Sequence, residues 1–291
     1  SNGPPQAQRF CGASAGRTAR HRAHFRCVSV EAPIEKAAQS SSLWAGGQAW
    51  LGAQCSARSV LECPPMLPPI RLLAVDIDGT LLDSHFEVSA ANRRALMATH
   101  ARGLEVVLVT GRRFNFARPI AVQLPFDLHL IVNNGALIKS ASGTTFYRQL
   151  LPRDLAATVL EAAAAYRRHA LVLFDRSGKG EVLVESLDPT HEPVAGYFER
   201  NREFILQVDS FENYLNDDPI QVLYAGPLME MRQLARQLED SPLAEHISIA
   251  LAEYPRRNFT LLDVLARGCT KAAALAYWAK RRRIRREEVM A

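Results

Sequence analysis

Cysteine is scarce in most of this 291-residue chain, since four of its five cysteines precede residue 65 and Cys269 alone follows it. The segment after residue 65 therefore has no internal disulfide framework, which favours a reducing compartment and predicts a cytoplasmic protein. Long apolar runs are also missing, because no stretch approaches the roughly 18 residues that a membrane-spanning helix needs. We therefore expect no membrane partner.

Acidic residues are absent from residues 1–30, and the charge of the chain is uneven as a result. Residues 1–65 contain seven Lys/Arg and three Glu, a net charge of +4, which leaves +1 of the total +5 for the remainder. A patch of positive charge is the usual footprint of nucleic-acid binding. Because the excess lies outside the part expected to fold, we expect no nucleic-acid partner.

Residues 1–65 also lack sustained apolar periodicity and are rich in Ser, Ala, Gly, Arg and Gln. This composition suits either an organellar transit peptide or an extension that does not fold. Met66 stands directly before the Pro-rich approach to the first apolar run. We therefore favour Met66 as the natural start and interpret residues 1–65 as a disordered or non-native extension.

Patterns of buried strands and helices alternate from residue 70 onward, and this order predicts an α/β fold with a parallel sheet. The first elements are predicted as strands at 71–76, 105–110 and 128–132 and helices at 89–102 and 114–123. A second α/β unit follows, and strand 259–265 and helix 270–280 close the chain. We therefore predict a core of residues 66–151 and 256–291, with residues 152–255 inserted as a second domain.

Two carboxylates, Asp76 and Asp78, follow the first apolar run one residue apart. In strand geometry they share a face, and close carboxylates repel each other unless a cation or proton joins them. Hard carboxylate oxygens suit Mg²⁺, and ligands of open α/β sheets bind at the carboxyl ends of the strands. A magnesium site is one interpretation of the pair, and an ordinary Asp-Gly turn is the other.

Further polar groups stand at the ends of the other predicted core elements. Thr110-Gly111 follows the second strand, where a hydroxyl and free N–H groups form an anion-binding corner. Lys271 lies near the start of the last helix, where the dipole disfavours a cation and an anionic partner would explain it. Asn134 belongs to an Asn-Asn-Gly turn after the third strand. Taken singly, each is also compatible with an ordinary turn or surface residue.

The motifs together resemble the Cof-type phosphatases of the haloacid dehalogenase (HAD) superfamily. They occur in the order Asp-x-Asp-Gly-Thr (76–80), Thr-Gly-Arg (110–112), Asn-Asn-Gly-Ala (133–136) and Gly-x-x-Lys (268–271). The resemblance implies a Rossmann-like core with a parallel sheet and an inserted α/β cap domain. It also implies Mg²⁺-dependent hydrolysis of small phosphate monoesters, such as sugar or cofactor phosphates, so that the expected partner is a small phosphorylated metabolite.

The resemblance also assigns roles to the candidate residues. Asp76 would be the nucleophile that forms an aspartyl-phosphate, and Asp78 would be the general acid and base, with both residues holding Mg²⁺. Thr110 and Gly111 would bind the phosphoryl group, and Lys271 would neutralise both the phosphate and the nucleophile. Asn134 would contact substrate or hold the loop that contains Thr110.

One part of the family pattern is missing from the sequence. The fourth motif, Gly-Asp followed by Asn-Asp, would come after Ala291, and it supplies a further acid to the metal. We therefore expect weak Mg²⁺ binding and little or no phosphatase activity from this chain. A phosphotransferase or phosphomutase of the same superfamily, or a non-catalytic binding module with this fold, remains an alternative, and the oligomeric state is not predicted.

Overall fold

The computed structural model describes residues 69–83, 85–186 and 192–291, so the predicted extension at residues 1–65 lies outside the described residues. The β-strands of this part are β1 (Leu72–Asp76), β2 (Glu105–Val109), β3 (His129–Val132), β4 (Leu137–Ser140), β5 (Thr145–Arg148), β6 (Ala170–Leu173), β7 (Val182–Val184), β8 (Ile205–Gln207), β9 (Gln221–Gly226), β10 (Ile247–Tyr254), β11 (Phe259–Ala266) and β12 (Val289–Met290). Its α-helices are α1 (Ala90–Ala101), α2 (Phe114–Ala121), α3 (Arg153–Ala162), α4 (Glu192–Asn201), α5 (Leu228–Glu239) and α6 (Lys271–Arg281). Across these residues, no helix combines the length and the apolar character needed to cross a bilayer.

The first sheet contains six strands of the described residues in the order β12-β1-β2-β3-β4-β5. Strands β12, β1, β2 and β3 are parallel, whereas β4 pairs antiparallel with β3 and β5 pairs antiparallel with β4. The parallel order brings the carboxyl ends of β1, β2 and β3 to one edge of the sheet. The α/β fold with a parallel sheet is thus confirmed, although the sequence did not predict β4.

Helices cover both faces of this sheet, as expected for parallel strands buried on two sides. Helix α6 packs on one face through Ala274, Leu275 and Trp278, against strand residues such as Leu72 and Val107. Helices α1 and α2 pack on the other face among a second buried apolar cluster. The core is therefore a three-layer arrangement with a continuous sheet at its centre.

The second sheet also has six strands of the described residues, in the order β10-β11-β9-β6-β7-β8. Neighbouring strands are antiparallel except for β7 and β8, which are parallel. Helices α3 and α5 pack on one face of this sheet, and α4 packs on the other. This unit is the α/β cap predicted between the two parts of the core.

The predicted end of the cap at residue 255 requires correction. Strand β11 was assigned to the core, but it pairs along its length with β10 and also with β9, so the second sheet extends to Ala266. A mostly apolar segment such as residues 259–266 indicates a buried strand but does not indicate which sheet the strand joins. The chain therefore returns to the first sheet only after β11.

Candidate active site

An ion pair joins the end of the first strand to the start of the last helix. Lys271 Nζ lies 2.6 Å from Asp76 Oδ1, although 195 residues separate them in sequence. The hydroxyl of Thr270 caps α6 by accepting a hydrogen bond from Ala273 N (3.0 Å), which fixes the helix start. Both charged side chains are partly exposed, at 38% for Asp76 and 40% for Lys271. The pair is therefore accessible to an anionic ligand.

Asp78 lies in the turn that follows Asp76, where Gly79 has a φ of +77° that favours glycine. Its carboxylate accepts hydrogen bonds from Arg112 Nε (2.9 Å) and Arg112 Nη2 (2.6 Å). Arg112 was not predicted as a site residue. Its position directly after Thr110-Gly111 was the available signal, because a side chain in that turn is close to the end of the neighbouring strand.

The turn at Thr110-Gly111 is closely packed against the turn after β3. Thr110 is buried, and its Oγ1 accepts a hydrogen bond from Arg112 N (3.0 Å), which leaves the hydroxyl hydrogen available for donation. A Cβ atom at Gly111 would lie only 2.8 Å from Oδ1 of Asn134. A side chain at position 111 would therefore require the Asn134 amide to move.

The Asn-Asn-Gly turn after β3 connects several parts of the site. Asn133 and Asn134 have φ values of 50° and 55°, a left-handed conformation that Asn tolerates better than most residues. Their backbone N–H groups donate to the carbonyl oxygens of Arg112 (2.9 Å) and Thr110 (3.2 Å). A Cβ atom at Gly135 would approach Thr270 O to 2.3 Å. The turn thus holds both the Thr110 loop and the start of α6.

Behind this turn lies a buried carboxylate, Asp263, on strand β11 of the cap. Asn134 Nδ2 donates to its Oδ2 (2.8 Å), and Gln221 Nε2 donates to its Oδ1. Burial raises the pKa of Asp263 to about 7, and the two hydrogen bonds oppose this only in part. Asp263 was not predicted as a site residue, although a carboxylate within an apolar strand was a visible signal.

The raised pKa of Asp263 predicts that stability depends on pH. The ordinary pKa of an Asp carboxyl, as in the unfolded chain, is 3.8, so the folded state holds the carboxyl proton of Asp263 more tightly. The free energy of unfolding should therefore fall as the pH rises from about 4 to about 7. The expected fall is on the order of a few kcal/mol. Asp263→Asn has no proton to lose, so urea denaturation across this range should show a shallower slope for the variant. Equal slopes for variant and wild type would contradict the expectation.

The tip of the β10–β11 hairpin brings cap side chains toward Asp78. Tyr254 ends β10 and stacks on Phe259 with ring centroids 5.8 Å apart. Burial raises the pKa of Tyr254, and the neighbouring negative charge of Asp78 raises it further. An aromatic wall and the exposed Arg256 and Arg257 therefore lie on the cap side of the site.

Asp76 and Asp78 are the candidate ligands for Mg²⁺. The hard oxygens of the Asp76 carboxylate and of the Asp78 backbone carbonyl suit this ion, and no hydrogen bond from the described residues reaches Oδ2 of Asp76. Within the described ranges, no group of three or more His, Cys, Asp or Glu residues forms a metal-binding cluster. The chemistry of the two acids fits Mg²⁺, but with few protein ligands.

Comparison with known proteins identifies the family. The sequence model of a protein family described as haloacid dehalogenase-like hydrolase matches residues 73–291, and the chain therefore belongs to this family. This membership confirms the resemblance to Cof-type HAD proteins and the prediction of a HAD-type hydrolase.

Individual relatives extend the comparison. The stress response protein YhaX of Bacillus subtilis is 26% identical over 232 residues, which cover 76% of this chain and 75% of that protein. The HMP-PP phosphatase of Serratia proteamaculans is 28% identical over 222 residues, 76% of each chain. A haloacid dehalogenase-like hydrolase from Bacteroides thetaiotaomicron shares the fold with a TM-score of 0.61 at 23% identity, over 76% of this chain and 80% of that one.

Proposed function

We propose that this protein is a phosphatase that hydrolyses small phosphate monoesters through an aspartyl-phosphate at Asp76. The observation that carries the proposal is the pairing of Asp76 with Lys271 at 2.6 Å, beside the Thr110-Gly111 turn. A nucleophile, a cation and hydrogen-bond donors at one strand edge are what phosphoryl transfer requires of a protein. The phosphatases among the relatives support the same class of reaction.

The proposed reaction has two steps, each with a role for Asp78. In the first, Asp76 Oδ2 forms a bond to phosphorus while the ester P–O bond breaks, and Asp78 donates a proton to the departing alkoxide. In the second, Asp78 takes a proton from water as the water oxygen attacks the phosphoryl group, which leaves as inorganic phosphate. Asp76 is thereby regenerated as a carboxylate.

Phosphate binding is assigned to the remaining predicted residues. The Thr110 hydroxyl and the backbone N–H of Gly111 would donate to the phosphoryl oxygens, and Lys271 would balance their charge. Asn134 would hold the Thr110 loop through the contacts of its turn. Asp76 and Asp78 would hold Mg²⁺, which when bound neutralises charge on the non-bridging oxygens. With one side-chain ligand from Asp76 and the backbone carbonyl of Asp78, we propose that metal binding is weak and turnover slow.

The substrate is proposed to be a small phosphorylated metabolite. Its leaving group would lie against the β10–β11 hairpin tip, where Tyr254 provides an aromatic wall and Arg256 and Arg257 provide positive charge. The proposed place of action is the cytoplasm, because the segment from residue 66 onward contains a single cysteine, Cys269, which is buried.

Hydrolysis of p-nitrophenyl phosphate tests this function. Turnover should rise with Mg²⁺ into the millimolar range and fall at least about ten-fold after EDTA treatment, because the ion neutralises phosphoryl charge. Re-addition of Mg²⁺ should restore the rate, and equal rates with and without EDTA would contradict metal dependence. Release of p-nitrophenol and phosphate in equal amounts, with a sugar alcohol present, indicates hydrolysis; an excess of p-nitrophenol would indicate phosphoryl transfer instead.

A further inference from the structure

Four polar side chains form a closed network between the cap and the core. Asp263 accepts hydrogen bonds from Asn134 Nδ2 (2.8 Å) and from Gln221 Nε2, and Asn133 Nδ2 donates to Gln221 Oε1 (3.3 Å). Asp263 and Gln221 belong to the cap sheet, whereas both Asn residues belong to the turn after β3 of the core. Each carboxylate oxygen of Asp263 thus accepts from a different side-chain amide.

The network fixes which way the Asn134 amide faces. Since Nδ2 donates to Asp263, Oδ1 is the atom that lies over Gly111, at 2.8 Å from the position of a Cβ there. A carboxylate is acceptor-only, so it selects the NH₂ side of an amide. If the Asn134 amide turned over, its NH₂ group would instead face Gly111.

We propose that Asp263 is a positioning residue of the cap that orients the Asn134 amide and thereby holds the phosphate-binding turn at Thr110-Gly111. This inference rests on the proposed function, because it names the group that the turn binds as phosphate. It makes part of the phosphate site depend on a cap strand, β11. The effect is transmitted through Asn134, since Asp263 itself is buried behind the turn.

The protonation of Asp263 should make phosphate binding depend on pH, which a purely structural role would not do. A protonated Asp263 carries one donor, so it no longer accepts from both amides. The titratable groups that interact with Asp263 are Tyr197 on α4, Tyr254 on β10 and Cys269 before α6. Burial raises the pKa of each of these groups above its ordinary value, so they stay neutral near pH 7. The positioning should therefore weaken as the pH falls below about 7, through Asp263.

The test compares inorganic phosphate binding to the full chain and to Asp263→Asn by isothermal titration. At about pH 8.5 the variant should bind about ten-fold more weakly, since its side chain offers one acceptor and one donor where two acceptors are needed. At about pH 5.5 the ratio should approach one, because wild-type Asp263 is then protonated. Taking the ratio cancels the titration of phosphate itself.

Asp175→Asn serves as the matched control. Asp175 is also a partly buried cap carboxylate, and it accepts hydrogen bonds from the core residues Lys139 (2.5 Å) and Arg148 (2.8 Å). Its loss should leave phosphate affinity within about two-fold at both pH values, because its carboxylate accepts hydrogen bonds from Lys139 and Arg148 and not from the Asn134 amide. Similar losses in both variants would overturn the specific role of Asp263, as would unaltered binding by Asp263→Asn.

A second measurement separates this inference from the proposed function. In the phosphate-free chain, the side-chain NH₂ resonances of Asn134 should shift between about pH 5.5 and about pH 8.5 in wild type and remain fixed in Asp263→Asn. If wild type binds no phosphate, the proposed function fails and these resonances decide the orientation by themselves. Resonances that ignore pH in wild type would overturn the inference, whether or not phosphate binds.

Discussion

Replacement of Asp76 by Asn should reduce the slow p-nitrophenyl phosphate turnover of the wild-type chain to that of buffer, because removal of a catalytic nucleophile usually costs about 10³-fold or more. The amide has nearly the same shape as the carboxylate but does not attack phosphorus to form an acyl phosphate. Lys271, which lies 2.6 Å from Asp76, would lose its charged partner but keep its place at the start of α6. Phosphate binding should therefore survive while turnover is lost.

Acid-quenched wild-type protein mixed with substrate should gain the mass of one phosphoryl group, and Asp76→Asn should not. Asp154→Asn is the control, because Asp154 lies on α3 of the cap with 94% of its side chain exposed. Its turnover should equal that of wild type. Turnover by Asp76→Asn that equals that of wild type and exceeds that of buffer would exclude the aspartyl-phosphate mechanism, since loss of a catalytic nucleophile costs far more.

Local sequence signals predicted most of the core. The first helix was predicted to start at residue 89, and the side chain of Ser89 accepts a hydrogen bond from Asn92 N, as an N-cap does. The apolar runs before Asp76 and Thr110 form neighbouring parallel strands, which brings these two residues to one edge of the sheet. These predictions succeeded because the apolar periodicity of strands and helices, the residues that cap helices and the order of the strands along the chain can be read from short segments.

The contacts between cap and core could not be predicted in the same way. Asp263 and its partner Asn134 are 129 residues apart, and the mostly apolar sequence of β11 does not reveal which group outside the strand contacts Asp263. Arg112 and Arg113 are adjacent in sequence, yet Arg112 reaches Asp78 in the core while Arg113 reaches Glu181 in the cap. Only the three-dimensional arrangement separates such neighbours into different roles.

Among the described residues, the most deeply buried ion pair between the core and the cap joins Arg113 to Glu181. Their side chains are 7% and 8% exposed. Arg113 Nη1 lies 2.7 Å from Glu181 Oε1, and the guanidinium carbon lies 5.1 Å from the ring centroid of Phe116 and 5.0 Å from that of Phe204. Asn115 Nδ2 donates to the other oxygen of Glu181 (2.5 Å). Burial raises the pKa of Glu181, and Arg113 opposes that rise.

Arg113→Ala should therefore lower the free energy of unfolding by about 3–5 kcal/mol, because it leaves a buried carboxylate without its cation. Urea denaturation followed by circular dichroism measures the loss. Arg148→Ala is the control, because Arg148 also joins core to cap through Asp175 but is 54% exposed. Loss of Arg148 should cost no more than about 1 kcal/mol, because its own charge is largely exposed and Asp175 remains paired with Lys139.

The pH dependence of Arg113→Ala distinguishes an unpaired charge from lost packing. Without Arg113, the pKa of Glu181 should rise further above its ordinary value of 4.5, so that the folded variant binds a proton more tightly than the unfolded chain. Stability of the variant should then fall, relative to wild type, as the pH rises through and above about 4.5. Adding Glu181→Gln should recover at least about 1 kcal/mol at neutral pH by removing the buried charge. A deficit that is independent of pH and unchanged in the double variant would show that packing on Phe116 and Phe204, and not charge, accounts for the loss.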